Sequence, residues 1–207
     1  GNASCAEGLF FETINAGGVL QVPMLVSIWD DDYGISVPNH LQMTKSNVSE
    51  ALSGFQRTDE KEGYEVFRVK GWDYPNLIKT YAQATKVCRE EHVPVIVHVT
   101  ELTQPFGHSS SGSHERYKSK ERLEWEKSHD CNELYEKWLL EEGIATQEEV
   151  DKAISDGKAL AKVGRDKAWK SYQNELIDDK SLTISLLDGL IEQSKYKSKL
   201  QTLRDNL

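Results

Sequence analysis

The stretch VPMLVSIWDDDYG, residues 22–34, decides the fold. The run from Val22 to Trp29 is mostly apolar and has the look of a strand buried on both faces. It reads straight into Asp30, Asp31 and Asp32, and Tyr33-Gly34 then turns the chain. Three adjacent carboxylates repel one another, and a turn needs only one Asx residue. Open α/β sheets bind ligands at the carboxyl ends of their strands. The aspartates therefore stand where a site is expected.

The surrounding sequence repeats the pattern. Upstream, SCAEGLFFETINAGG (residues 4–18) places Phe10, Phe11, Ile14 and Ala16 near helical spacing and ends on glycines, a stop signal. Downstream, HLQMTKSNVSEALSGF (40–55) reads as a loop entering a short helix, and YEVFRVKG (64–71) alternates as a strand. PNLIKTYAQATKVCREEH (75–92) is a helix with Pro in its first turn, and VPVIVHVTEL (93–102) is a second buried strand. Strands alternating with helices predict an α/β fold with a mostly parallel sheet flanked by helices.

After Thr103 the composition changes. QPFGHSSSGSHERY (104–117) is a Ser/Gly-rich loop, and helices follow at 120–129, 132–143 and from near Thr146. The end, 182–207, holds one amphipathic segment and a basic tail. The expected organisation is an α/β part over 1–103, a histidine loop over 104–117, C-terminal helices of the same domain over 118–175, and a helix with a basic tail over 176–207. Trp125, Trp138 and Trp169 sit on predicted helices and are expected to pack.

The totals narrow the function classes. Twenty-five basic against 34 acidic residues in 207 give a net charge of −9. That argues against a nucleic-acid footprint or an anionic membrane surface. No apolar run nears the roughly 20 residues a membrane helix needs. Cys5, Cys88 and Cys131 are too scattered for a disulfide framework or zinc cluster, so reduced thiols in a cytoplasm are expected, with a mitochondrial matrix the other compartment considered. The chain opens without Met on a Gly that already falls in a motif, so it is read as a piece of a longer protein.

Helix N-termini suit phosphate, and GNAS is expected to open the first helix. Asn2 and Asp31 are oxygen ligands joined by one helix and one strand, which brings them to one sheet edge. Two hard oxygen ligands beside a phosphate-friendly helix end describe a magnesium–diphosphate site.

At these residues the chain resembles the alpha subunit, or alpha half, of the thiamine-diphosphate-dependent decarboxylating component of 2-oxoacid dehydrogenase complexes. The family motif Gly-Asp-Gly falls on Gly1, Asn2 and Ala3. Its helix residues fall on Glu7, Gly8, Phe11, Glu12 and Asn15. Its Asn-Asn falls on Asp30 and Asp31, and its Tyr-Gly on Tyr33 and Gly34. The family's Asp is Asn2 here and its second Asn is Asp31, a reciprocal exchange that leaves one carboxylate and one amide. The resemblance implies a thiamine-diphosphate-binding fold and a cofactor-binding set of Gly1, Asn2, Ala3, Ser4, Asp31, Tyr33, Ile35 and His108. Within it Asn2, Asp31 and the Tyr33 carbonyl hold magnesium. Asp30 is expected to orient the turn and Asp32 to face water, with magnesium offsetting much of the repulsion.

The family also places Gly-His-Ser after its last strand here, matched by Gly107, His108 and Ser109, with Arg116 and Tyr117 following. The resemblance makes His108 the catalytic candidate, reaching the diphosphate end and acyl transfer to a lipoyl arm. Such a role is chemically sensible, because histidine can donate to phosphate or shuttle a proton. His40, His92, His98, His114 and His129 carry no functional expectation.

The implied partners are a beta subunit or beta half completing the site and a lipoyl-bearing acyltransferase core, with no nucleic acid and no membrane. Residues 176–207 are expected to be a possible link to that beta half, and the isolated piece is expected to be inactive. Competing readings are an acetoin-cleaving dehydrogenase, a transketolase-like enzyme and a degenerate, non-catalytic assembly domain. Gly-His-Ser favours lipoyl-linked chemistry over transketolase.

Overall fold

The computed structural model describes residues 1–109 and 114–207. Residues 110–113 of the expected histidine loop lie outside the described residues. The chain divides into two compact units, Gly1–Ile144 and Ala145–Leu207.

In the first unit a 3-10 turn, Ala3–Ala6, precedes helix α1, Gly8–Leu20. Strand β1 is Leu25–Trp29, and a small hairpin pairs β2, Tyr33–Gly34, with β3, Val37–Pro38. Helix α2, Val48–Ala51, is capped by the Asn47 side chain, which accepts from the Glu50 N–H. Strand β4, Glu65–Lys70, leads to α3, Tyr74–Lys86, where Asp73 accepts from the Asn76 N–H and Pro75 fills the first turn. Strand β5, Val95–Thr100, is followed by α4, Lys120–Ser128, and α5, Cys131–Glu141.

The three long strands form a parallel sheet in the order β1-β5-β4. Strand β5 lies in the centre and Val95 to Val99 are all buried. Its side chains alternate between two cores. Ile96 joins Ile14, Ile28, Val48, Leu52 and Tyr64 on one face. Val95, Val97 and Val99 join Val69, Ala84, Val87 and Cys88 on the other. Burying each such side chain contributes about 1.5–3 kcal/mol, so this two-sided core sets the position of everything at the strand ends.

Three sequence expectations change. Strand β1 is not buried on both faces. It is an edge strand, and Ser27 and Trp29 are exposed, Trp29 by 63%. GNAS does not open the helix, because Glu7 is extended (ψ 144°) and separates the 3-10 turn from α1. The paired glycines do not stop the helix, which runs on to Leu20 and ends at Gln21 in the left-handed region (φ 45°). Gly17 serves close approach instead, since a Cβ there would collide with the Tyr64 hydroxyl.

The second unit holds α6, Gln147–Gln193, and α7, Lys197–Asp205. A capping box starts α6: Thr146 accepts from the Glu149 N–H and the Glu149 carboxylate accepts from the Thr146 N–H. The helix passes residue 175 without a break, so the amphipathic segment is its continuation. Arg204 of α7 donates to Asp188 of α6 at 2.9 Å. Trp169 does not pack as expected: it is 59% exposed and stacks on Tyr172. No helix of the described residues is long and apolar enough to cross a membrane.

Candidate functional site

A cavity of about 810 Å³ opens at the carboxyl ends of β1 and β5. Three chain segments converge on it. The 3-10 turn region brings Gly1, Asn2, Ala3 and Ser4, the turn after β1 brings Asp31, Tyr33 and Ile35, and the segment after β5 brings His108. Every residue of the expected cofactor-binding set therefore lines one cavity. Ser27, Trp29, Leu102, Thr103, Gln104 and Cys131 also line it and were not singled out from sequence.

Each of the three aspartates has a different environment. Asp30 is buried, and its carboxylate accepts from the Asp32 N–H at 2.9 Å and from the Asn39 amide at 3.0 Å. Its other oxygen lies 2.9 Å from His98 Nε2. Burial works to raise its pKa, but the bonds from His98, the Asp32 N–H and Asn39 outweigh that and hold it below the ordinary value. Asp30 thus orients the turn, as expected.

Asp31 faces the cavity. Burial pushes its carboxyl up, against the lowering effects of the Tyr33 N–H, 3.4 Å away, and of Lys118. Asp32 does not simply face water. Its side chain is half exposed, yet Arg122 Nη1 donates to it at 2.6 Å. The same guanidinium donates to the Asp31 carbonyl at 2.9 Å and to Glu126 at 2.8 Å. Glu126 is buried against Lys118 Nζ (2.7 Å), and both cations lie over the Tyr33 ring. Arg122 and Lys118 are protein cations that offset part of the repulsion among the aspartates, a contribution the sequence did not reveal.

Asn2 is buried too. One end of its amide meets the Asn39 side-chain oxygen and lies 3.3 Å from the Tyr33 N–H; the other end lies 3.1 Å from the Tyr33 carbonyl oxygen. An amide, a carboxylate and a backbone carbonyl can each offer an oxygen, the donor type a hard divalent cation takes. Two strained residues frame the turn: Asp32 at φ 69° and Ile35 at φ 60°. The second is costly, because a β-branched side chain rarely enters the left-handed region.

His108 is exposed at the cavity rim, after a turn in which the Gly107 N–H donates to the Gln104 carbonyl and Gly107 adopts φ 73°. His114 packs against Gly107, and its Nδ1 is buried with no hydrogen-bond partner among the described residues. Tyr117 packs its ring 5.7 Å from that of Tyr33. His129 lies between Trp72 and Trp125, which packs as expected.

Sequence reading missed the His98–Asp30–Asn39 chain and the Arg122–Glu126–Lys118 cluster. One signal was available: a lone histidine inside an apolar strand needs a buried partner. The partner's identity was not readable, because Asp30 is 68 residues away.

The Dehydrogenase E1 component family matches residues 1–173. Among curated proteins the chain is similar to the pyruvate dehydrogenase E1 component subunit alpha of Rickettsia felis, 24% identical over 86% of this chain and 51% of that protein. It is equally similar, at 24%, to the 2-oxoisovalerate dehydrogenase subunit alpha of Bacillus subtilis, over 81% of this chain and 48% of the relative. The mitochondrial 2-oxoisovalerate dehydrogenase subunit alpha of Dictyostelium discoideum matches at 24% over 94% and 43%. The chain spans about half the length of these curated relatives. With the family match covering most of its length and the three relatives above all alpha subunits, the chain belongs to the dehydrogenase E1 component family.

Proposed function

We propose that this chain is the diphosphate-binding part of a thiamine-diphosphate-dependent E1 component. That component decarboxylates a 2-oxoacid of pyruvate or branched-chain type and passes the acyl group to lipoyl-lysine. The observation that supports this reading is the convergence of Gly1 to Ser4, Asp31, Tyr33, Ile35 and His108 on one cavity at the sheet's carboxyl edge.

Thiamine diphosphate, when bound, supplies the electron sink that decarboxylation of a 2-oxoacid requires. This chain's residues would do the holding. Asn2, Asp31 and the Tyr33 carbonyl hold magnesium through oxygen. Gly1, Ala3 and Ser4 line the diphosphate side, and Ile35 offers an apolar contact. His108, exposed at the rim, donates to phosphate or moves a proton during acyl transfer. A raised Asp31 carboxyl fits a group held for a cation, since a neighbouring positive charge would favour its ionised form.

A beta subunit or beta half would complete the site, and a lipoyl-bearing core would receive the product. The chain alone is expected to show no decarboxylation. The relatives' names span bacteria and a mitochondrion, which supports a cytoplasmic or matrix location.

A second reading, an assembly domain without catalysis, is favoured by one observation: taken with Tyr33 alone, the Asn2 amide has a protein partner for each end, its NH2 for the carbonyl and its oxygen for the N–H. Calorimetric titration of thiamine diphosphate with magnesium into the full-length protein separates the two. Magnesium-dependent binding, weakened by Asp31→Asn and restored in part by adding Asn2→Asp, is expected. Absence of binding would select the assembly reading.

A further inference from the structure

The Asn2 amide is pulled two ways. Tyr33 alone would place the Asn2 NH2 on its carbonyl and the Asn2 oxygen on its N–H. Asn39 demands the reverse. Asn39 donates its NH2 to Asp30 at 3.0 Å, which leaves its own oxygen toward Asn2. An amide oxygen can only accept, so Asn2 must present its NH2 there.

Asn39 cannot turn round without facing its oxygen to a carboxylate. That carboxylate is fixed in place: it accepts from the Asp32 N–H and lies against His98 Nε2. The His98 ring is itself held by the Ser49 hydroxyl, 2.6 Å from Nδ1. Asn39, Asp30, His98 and Ser49 are all buried behind Asn2, so a mismatched end among them would cost its full desolvation.

Polarity is therefore handed from Asp30 through Asn39 to Asn2. The Asn2 oxygen is left 3.1 Å from the Tyr33 carbonyl oxygen, with no proton between them. Two facing oxygens repel unless something positive from the cavity, a donor hydrogen or a cation, sits on both.

We infer that Asp30 and Asn39, held by His98, are positioning residues that aim the Asn2 amide oxygen at the metal ion. This rests on the reading of Asn2, Asp31 and Tyr33 as the metal site. It predicts that Asp30 matters to metal binding without touching the metal.

The test uses Mn²⁺ as the probe, with saturating thiamine diphosphate and the full-length protein, reading bound against free ion by electron paramagnetic resonance. Asn39→Leu and Asp30→Asn should each weaken Mn²⁺ binding about tenfold, the lower end of what loss of an outer partner costs. An aspartate has two equivalent oxygens and needs no aiming. In an Asn2→Asp background, Asp30→Asn should therefore no longer weaken binding. Melting curves show which variants fold, and Asn39→Leu stands in if Asp30→Asn does not. Folded variants that bind Mn²⁺ like the parent would overturn the inference and leave the metal site standing. An undiminished penalty in the Asn2→Asp background would also overturn it, because a purely structural role gives that result. A parent protein that binds no Mn²⁺ would instead overturn the metal site itself.

Discussion

Strands β1 and β5 begin alike in sequence and end in opposite environments. Both follow a Val-Pro pair and run parallel in one register, with Ile28 beside His98. Yet β5 buries a histidine and β1 exposes a tryptophan. Position in the sheet decides this, because β5 has a strand on each side and β1 has one. The polar residue of the central strand and the first aspartate of the edge strand then meet as a buried pair. What reads as two equivalent apolar runs is one scaffold strand and one strand that carries the site.

The contrast can be broken by substitution, starting in β5. His98→Ala leaves the buried Asp30 carboxylate without one of its hydrogen-bond partners, and should cost at least about 3 kcal/mol in denaturant unfolding. The loss should be worst at neutral pH. A carboxyl whose folded pKa is held low contributes stability above its unfolded value, and that contribution fades as pH falls through the folded one. Ile96→Ala, in the same strand and fully buried, should cost about 3 kcal/mol from lost transfer and cavity terms, with little pH dependence.

At the end of β1 the sign reverses. Asp31 has a raised carboxyl, so its ionised form is penalised in the fold. Its favourable contribution is present below the unfolded pKa and is lost as pH rises through the folded one. Asp31→Asn should therefore raise the melting temperature at pH 7 while weakening magnesium, and the gain should vanish in acid. Such opposition between stability and binding is what a functional carboxylate shows. Trp29→Ser should change stability least, within about 0.5 kcal/mol, because the ring is already exposed.

Much of this was legible in the sequence. The alternation of apolar strands and helices gave the parallel sheet, and the Gly1–Ser4, Asp31–Ile35 and His108 segments do meet at its carboxyl edge. The Thr146 start of the long helix was readable from its capping residues. What stayed hidden was pairing at a distance. Nothing local in VIVHV names Asp30 as the partner of His98. Nothing in the DDD run names Arg122, 90 residues on, as the cation beside Asp32. Edge and centre were also unreadable for β1, since an apolar run reports hydrophobicity and not the number of neighbours. The resemblance pairs Asn2 with Asp31 as a reciprocal exchange. The structure adds that Asn2 is tied to Asp30 as well, through Asn39.

The most direct test is the melting temperature of the full-length protein with thiamine diphosphate, magnesium, or both. If the cavity is a magnesium–diphosphate site, the two together stabilise the protein, by about 2.7 kcal/mol at a hundredfold excess over Kd. Neither alone does so to that extent, and Asp31→Ala abolishes the shift. Equal stabilisation without magnesium, or no shift with both present, would contradict the account.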